Sequence, residues 1–240
     1  MQKSSSEKLY SSCFERGYFA AAAADFRSTR KLAFAGITMA LSVSLQLFYI
    51  PLAPGLRIQI TFLVSALSGA ILGPWLSLVR GAASDVIGFF VANTGGGAFF
   101  FGYTLSAALG AMIYSLFFYR KRITYKRIFF SKLIINLFCN AALGSLWNSI
   151  LYGSRSYGAY FALAFTKNIL LLPLEVVVIC LIFNLMLPTL SKLGMVRREQ
   201  CGEIKVSYAR LGIEVAVAAV LAILLWVFYA DIYAFVKSLL

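Results

Sequence analysis

Residues 168–190 read NILLLPLEVVVICLIFNLMLPTL, an almost unbroken apolar stretch with no basic residue and a single acid, Glu175. A helix crossing a hydrocarbon core of ~30 Å needs about 20 such residues, so this stretch reads as a membrane crossing. Working outward from it, six more apolar runs lie between polar breaks: residues 32–50, 60–79, 82–92, 99–119, 128–151 and 211–230. The run at 82–92 is too short to span unaided. The composition agrees: 61% of the 240 residues are hydrophobic and 13% charged, where soluble domains average about 25% charged.

Lys and Arg fix the expected orientation, because positively charged loops are retained in the cytoplasm. The N-terminal arm (Lys3, Lys8, Arg16, Arg27, Arg30, Lys31), the turn at Arg80, the loop Arg120, Lys121, Arg122, Lys126, Arg127 and Lys132, and the segment Lys192, Arg197, Arg198, Lys205 and Arg210 carry 18 basic residues. The opposite side holds 4: Arg57, Arg155, Lys167 and Lys237. The short third run must cross, since deleting it would place the most basic loop outside. The expected fold class is therefore an all-α integral membrane protein, a bundle of six transmembrane helices with a cytoplasmic N-terminus. It leaves open a seventh, C-terminal helix.

Four divisions follow: residues 1–27 as a cytoplasmic arm, disordered or interfacial; 28–192 as the six-helix substrate-binding domain; 193–210 as a basic cytoplasmic linker; 211–240 as the additional helix. Membrane topology accounts for the net charge of +13 without a nucleic-acid partner. With no histidine, triad hydrolases and His-ligated metal sites are excluded. The four cysteines form no C-x-x-C pair and read as small buried hydrophobes, and no metal or other cofactor is expected.

Polar side chains inside a crossing cost several kcal/mol unless they face the bundle or a cavity, so they are the site candidates. In the fifth run Asn136, Asn140, Gly144, Trp147 with Asn148, and Leu151 share one helical stripe. These amides could bond a flat heteroaromatic ligand stacked on Trp147, or could glue helices with Trp147 as an interfacial anchor. In the sixth run Lys167, Asn168, Pro173 and Glu175 are placed at the outer end, with Asn168 and Glu175 on one face and Pro173 freeing a backbone carbonyl. Lys167 and Glu175 stand about 12 Å apart along the axis. The turn Pro51-Leu-Ala-Pro-Gly-Leu-Arg57 presents Arg57, which suits a carboxylate or the headgroup level. A structural ion pair is expected between Asp85 and Arg80. The glycine run in residues 93–97 lacks a following Gly-Lys-Ser/Thr and is no P-loop; a gate over a pocket fits it better. Gly36, Ala40 and Ser44 form a small-residue ridge for another helix, in this chain or in a partner.

Three stretches carry a resemblance: Arg57-Ile-x-Ile-x-Phe-Leu; Ala66-x-x-Gly69-x-x-x-Gly73-Pro74; and Gly81-x-x-x-Asp85-x-x-Gly88. They resemble the membrane substrate-binding (S) component of energy-coupling-factor vitamin transporters. Phe100-x-Gly102-Tyr103-Thr104, Leu146-Trp147 with Leu151-Tyr152-Gly153, and Lys167-Asn168-x-x-x-x-Pro173-x-Glu175 are similar to its folate-specific branch. The similarity covers about residues 30 to 190.

The resemblance implies a six-helix bundle that takes folate from outside and works with a transmembrane coupling subunit and two ATPase subunits in the cell membrane of a bacterium. The chain itself would not be an enzyme. Arg57, Tyr103, Trp147, Asn148, Tyr152, Lys167, Asn168 and Glu175 are the expected folate contacts, and Gly36, Ala40 and Ser44 the expected scaffold-docking ridge. This chain has Ala164 where that family has an arginine, and Phe101 where it has a proline, so the ligand could differ. Pantothenate or thiamine is the nearest alternative within the class. A stand-alone secondary transporter would show internal repeats, and a lipid-modifying enzyme paired acids for magnesium; neither pattern is evident.

Overall fold

The structure is a computed structural model. It describes residues 9–53, 56–92, 98–153, 156–201 and 204, with Gly212, Ile213, Ala216 and Val220; for 49–53, 56–58 and 92 it describes the backbone alone. The run 211–230, but for those four positions, and the glycine-rich residues 93–97, read as a gate from the sequence, lie outside the described residues.

A short helix α1 (Tyr18–Ala23) leads into α2 (Thr29–Gln46), followed by strands β1 (Tyr49–Ala53) and β2 (Leu56–Gln59). Then come α3 (Thr61–Ile71), α4 (Pro74–Ala92), α5 (Phe101–Phe118), α6 (Tyr125–Tyr152) and α7 (Tyr157–Lys192). Helices α2 to α7 are the six crossings of a helical membrane bundle. Three of them, α5, α6 and α7, are each long and apolar enough to cross by themselves. The one non-helical element among the described residues is the antiparallel β1–β2 hairpin, where a simple turn was expected; Pro51 pairs with Arg57 in its register.

Local chemistry sets the helix ends. The Ser28 hydroxyl accepts the Lys31 N–H at the start of α2, and the Ser156 hydroxyl accepts the Ala159 N–H at the start of α7. Gly153 closes α6 in the left-handed conformation, φ 57°. Because α7 begins at Tyr157 rather than near residue 168, Lys167 and Asn168 sit about three turns inside the helix, not at its end.

The second and third crossings are divided differently from the hydropathy pattern. α3 ends at Ile71, Leu72 is extended (ψ 138°), and Pro74 opens α4 as its first residue. The third crossing is thus 19 residues long and the second only 11, and Arg80 lies inside α4 rather than in a turn. Apolar residues on both sides of the break hide it from a hydropathy window.

Close packing explains the glycines of the motifs. A Cβ at Gly81 would lie 2.8 Å from the Ala107 carbonyl oxygen of α5, and one at Gly69 would lie 2.9 Å from the Ser115 backbone nitrogen. Both helices can approach α5 only because these positions lack a side chain. The buried core runs through Ala66, Tyr114, Phe118, Ile128, Val176 and Phe183.

Residues 9–27 pack against the bundle through Tyr10, Tyr18 and Asp25 rather than forming a loose arm. Tyr18 is fully buried, edge-on to Tyr10 and Tyr119, and donates to the Ser115 carbonyl at 3.1 Å. Asp25 is buried and accepts from Lys31 Nζ (2.7 Å), the Gly73 N–H (3.0 Å) and the Tyr119 hydroxyl (3.2 Å), with Arg120 at 3.9 Å. Its partners come from α2, the α3–α4 break and the end of α5, so no local pattern in the arm announces the packing.

Candidate functional site

A cavity of about 560 Å³ opens among the crossing helices, and all six contribute to its wall. Its size suits a mid-sized organic ligand. The wall has two flanks of different character.

On the α6–α7 flank the α-helix loosens into a π segment at Ile135–Leu143, a departure from the i→i+4 ladder that favours functional positions. Asn136, within it, is fully buried and donates through Nδ2 to Glu175 Oε2 (2.9 Å) and to the Asn168 carbonyl (3.1 Å). Its own Oδ1 accepts from Asn140 Nδ2 at 3.0 Å. The other Glu175 oxygen, Oε1, meets Lys132 Nζ at 3.0 Å. Lys132 is buried, with Nζ 4.1 Å from the centre of the Phe62 ring. Placed in a basic loop by the charge pattern, it is instead a buried member of the α6 crossing. Asn168 Nδ2 donates back to the Ala164 carbonyl at 2.7 Å.

On the α2–α3–α4 flank Arg80 is buried and lines the same cavity. It donates to Ser42 Oγ (3.0 Å), Ser65 Oγ (2.9 Å) and the Thr38 carbonyl (3.4 Å). The expected Arg80–Asp85 ion pair does not form: Asp85 Oδ2 accepts from the Thr104 hydroxyl at 2.7 Å. Five residues apart on a helix, the two side chains point to different faces. Gln46 Nε2 ties α2 to α4 through the Ser84 carbonyl at 3.1 Å.

Of the sequence candidates, Tyr103, Asn148, Tyr152, Lys167, Asn168 and Glu175 line this cavity. Tyr103 donates its hydroxyl to Asn148 Oδ1 at 2.5 Å, joining α5 to α6. Trp147 is not among the lining residues. Its indole packs against Gly102 and Phe100, and its Nε1 donates to Ser106 Oγ at 2.9 Å, so it stands behind the wall. The Arg57 side chain lies outside the described residues. Gly36, Ala40 and Ser44 are exposed on the outer face of α2, and a Cβ at Gly36 would meet nothing within 4 Å. No helix of the described chain covers that ridge.

Sequence reasoning missed Lys132 and Arg80 and did not pair Asn136 with Glu175. Lys132 stands four residues before Asn136, in line with the polar stripe, and Pro74 was the sign that Arg80 lies in a helix.

Comparison with known proteins bears on this arrangement. Residues 30–190 match the family described as ECF transporter, substrate-specific component. The folate transporter FolT of Clostridium novyi (strain NT) is 36% identical over 126 residues, covering 52% of this chain and 72% of that protein. The folate transporter FolT of Leuconostoc mesenteroides subsp. mesenteroides is 30% identical over 126 residues, 50% of this chain and 67% of that one. A crystal structure of FolT bound with folic acid superposes with a TM-score of 0.58 at 29% identity, covering 63% of this chain and 91% of the other.

Proposed function

The chain belongs to the substrate-specific component family of ECF transporters, and from that premise we propose that it captures folate and hands it to an ATP-driven import complex. The observation that carries the ligand assignment is the Lys132–Glu175–Asn136–Asn168 network on the cavity wall, together with the likeness to folate transporters. A pterin carries a flat amino-amide edge. Glu175 accepts from its amino and ring N–H groups, and Asn168 with the amide row of α6 supplies further bonds. Tyr103, Asn148 and Tyr152 line the ring's path, while Trp147 holds the wall through Phe100 and Ser106. Lys167, with Arg57 on the hairpin, faces the glutamate portion.

Nothing in this reading asks the chain to hydrolyse ATP. That falls to two ATPase subunits joined through a transmembrane coupling subunit, which docks on the exposed ridge Gly36, Ala40 and Ser44. The basic loops keep the N-terminal end on the cytoplasmic side of a bacterial cell membrane, with the β1–β2 hairpin outside.

Equilibrium binding to the purified, detergent-solubilised chain, followed by quenching of Trp fluorescence, tests the assignment. Saturable binding of folate, with none of thiamine, pantothenate or riboflavin, is expected. Binding of another vitamin would keep the family and overturn the substrate; binding of none would overturn the capture role. For the docking ridge, Gly36→Leu should leave folate binding intact and abolish uptake by cells expressing the whole complex.

A further inference from the structure

Arg80 stands about two turns inside α4, in the middle of the bundle, and only 4% of its surface is exposed. A cation in such a place is normally matched by an opposite charge or by backbone carbonyls. Lys132, which also lines the cavity, is matched by Glu175 at 3.0 Å. Among the described residues no carboxylate lies within ion-pair distance of Arg80. Its bonds go to two serine hydroxyls and one backbone carbonyl, all neutral, and its buried Nε–H has no partner. Asp85, five residues further along α4, is engaged by Thr104.

Ser42 and Ser65 hold the guanidinium from α2 and α3, so its position is set before any ligand arrives. Its place on the cavity wall leaves the ligand as the group that can supply the missing negative charge. With both Nη1 donors taken and Nε shut off from the cavity, one Nη2 N–H is left over, and a charge-assisted bond from it suits a carboxylate.

We propose that Arg80, steadied by Ser42 and Ser65, is the carboxylate-binding subsite of this cavity and makes the transporter select anionic ligands. Resting on the folate reading, this assigns a glutamate carboxylate of folate to Arg80, on the α2–α3–α4 flank. The neutral hydroxyls orient the cation without discharging it, so its charge is completed only when the ligand enters.

The test uses the full chain in detergent, as wild type, Arg80→Gln and Arg80→Lys, against three probes: folic acid, folic acid α,γ-diamide and p-aminobenzoyl-L-glutamate. Wild type should bind folic acid more tightly than the diamide. Arg80→Gln should lower folic acid affinity on the order of 30-fold or more while changing diamide affinity little, and Arg80→Lys should fall between. Equal losses for acid and diamide would assign Arg80 to the ring or the scaffold and overturn the proposal, as would no loss. If the Gln variant does not fold, the acid-against-diamide comparison in Arg80→Lys decides. Should wild type bind no folate, the folate reading fails separately. The carboxylate subsite is then judged by thermal stabilisation with p-aminobenzoyl-L-glutamate: a shift in wild type lost in Arg80→Gln sustains it, and no shift overturns it.

Discussion

Asp25 and Glu175 are both carboxylates paired with a lysine inside the protein, yet they serve different ends. Asp25 sits beneath the bundle with its oxygens occupied by Lys31, Tyr119 and the Gly73 N–H, and residues 9–27 are clasped to the α3–α4 break through it. Glu175 is paired as closely, by Lys132 and Asn136, but looks onto an open volume of about 560 Å³. Pairing alone therefore does not mark a ligand site. The neighbouring space does, because only a group with room in front of it can exchange a protein partner for a ligand.

The largest expected effect comes from Lys132→Met. Removing the cation leaves the partly enclosed Glu175 without its ion-pair partner, a loss of about 3 kcal/mol, the lower end for a broken buried pair, that should appear as a large fall in melting temperature. The double variant Lys132→Met/Glu175→Leu should regain much of that stability without regaining folate binding, which separates the pair's structural part from its ligand part. Next, Glu175→Gln should weaken folate binding on the order of 100-fold, read by fluorescence titration. Unchanged affinity would remove Glu175 from the site and erase the contrast with Asp25.

Asp25→Asn should lower stability by about 1–3 kcal/mol, since Lys31 and the Gly73 N–H lose a charged acceptor, while folate affinity stays as in the wild type. A joint loss of stability and affinity would show that the two carboxylates act as one unit.

The smallest effect concerns Lys121 at the Asp25 end. Burial lowers its pKa to about 8; its Nζ donates to the Leu116 carbonyl at 2.5 Å and lies 5.0 Å from the Tyr18 ring centre. The unfolded chain holds this proton up to about pH 10.4, whereas the folded chain releases it near 8. Between those values the unfolded state binds more protons, so stability should rise slightly with pH across that window. A melting series from pH 7 to about 10, compared with Lys121→Met, checks the sign.

Residue spacing was enough to foresee the stripe Asn136, Asn140, Gly144, Asn148, Leu151, because a helix repeats its face every three to four positions whatever it packs against. Of those five, all but Asn136 line the cavity, and Asn136 holds Glu175 from behind. Trp147 shows the limit of the same logic. One residue from Asn148, it turns aside to fill the space over Gly102, where an added Cβ would come within 2.5 Å of the indole. Neighbouring positions on a helix differ by about 100° in direction, so stripe membership is ambiguous for a side chain this large.

What the sequence determined by itself was the chain's class: six helical crossings, their order, and the polar residues within them, since apolar length and helical period are properties of consecutive residues. Only the tertiary structure decided which charges are buried and what each one meets. Lys132 and Arg80 count as basic loop residues when read along the chain. Contacts of 2.9 to 3.0 Å with Glu175, Ser42 and Ser65, brought from other helices, make one a matched ion and the other an unmatched one. That distinction depends on distances between segments 15 to 43 positions apart, which no local pattern encodes.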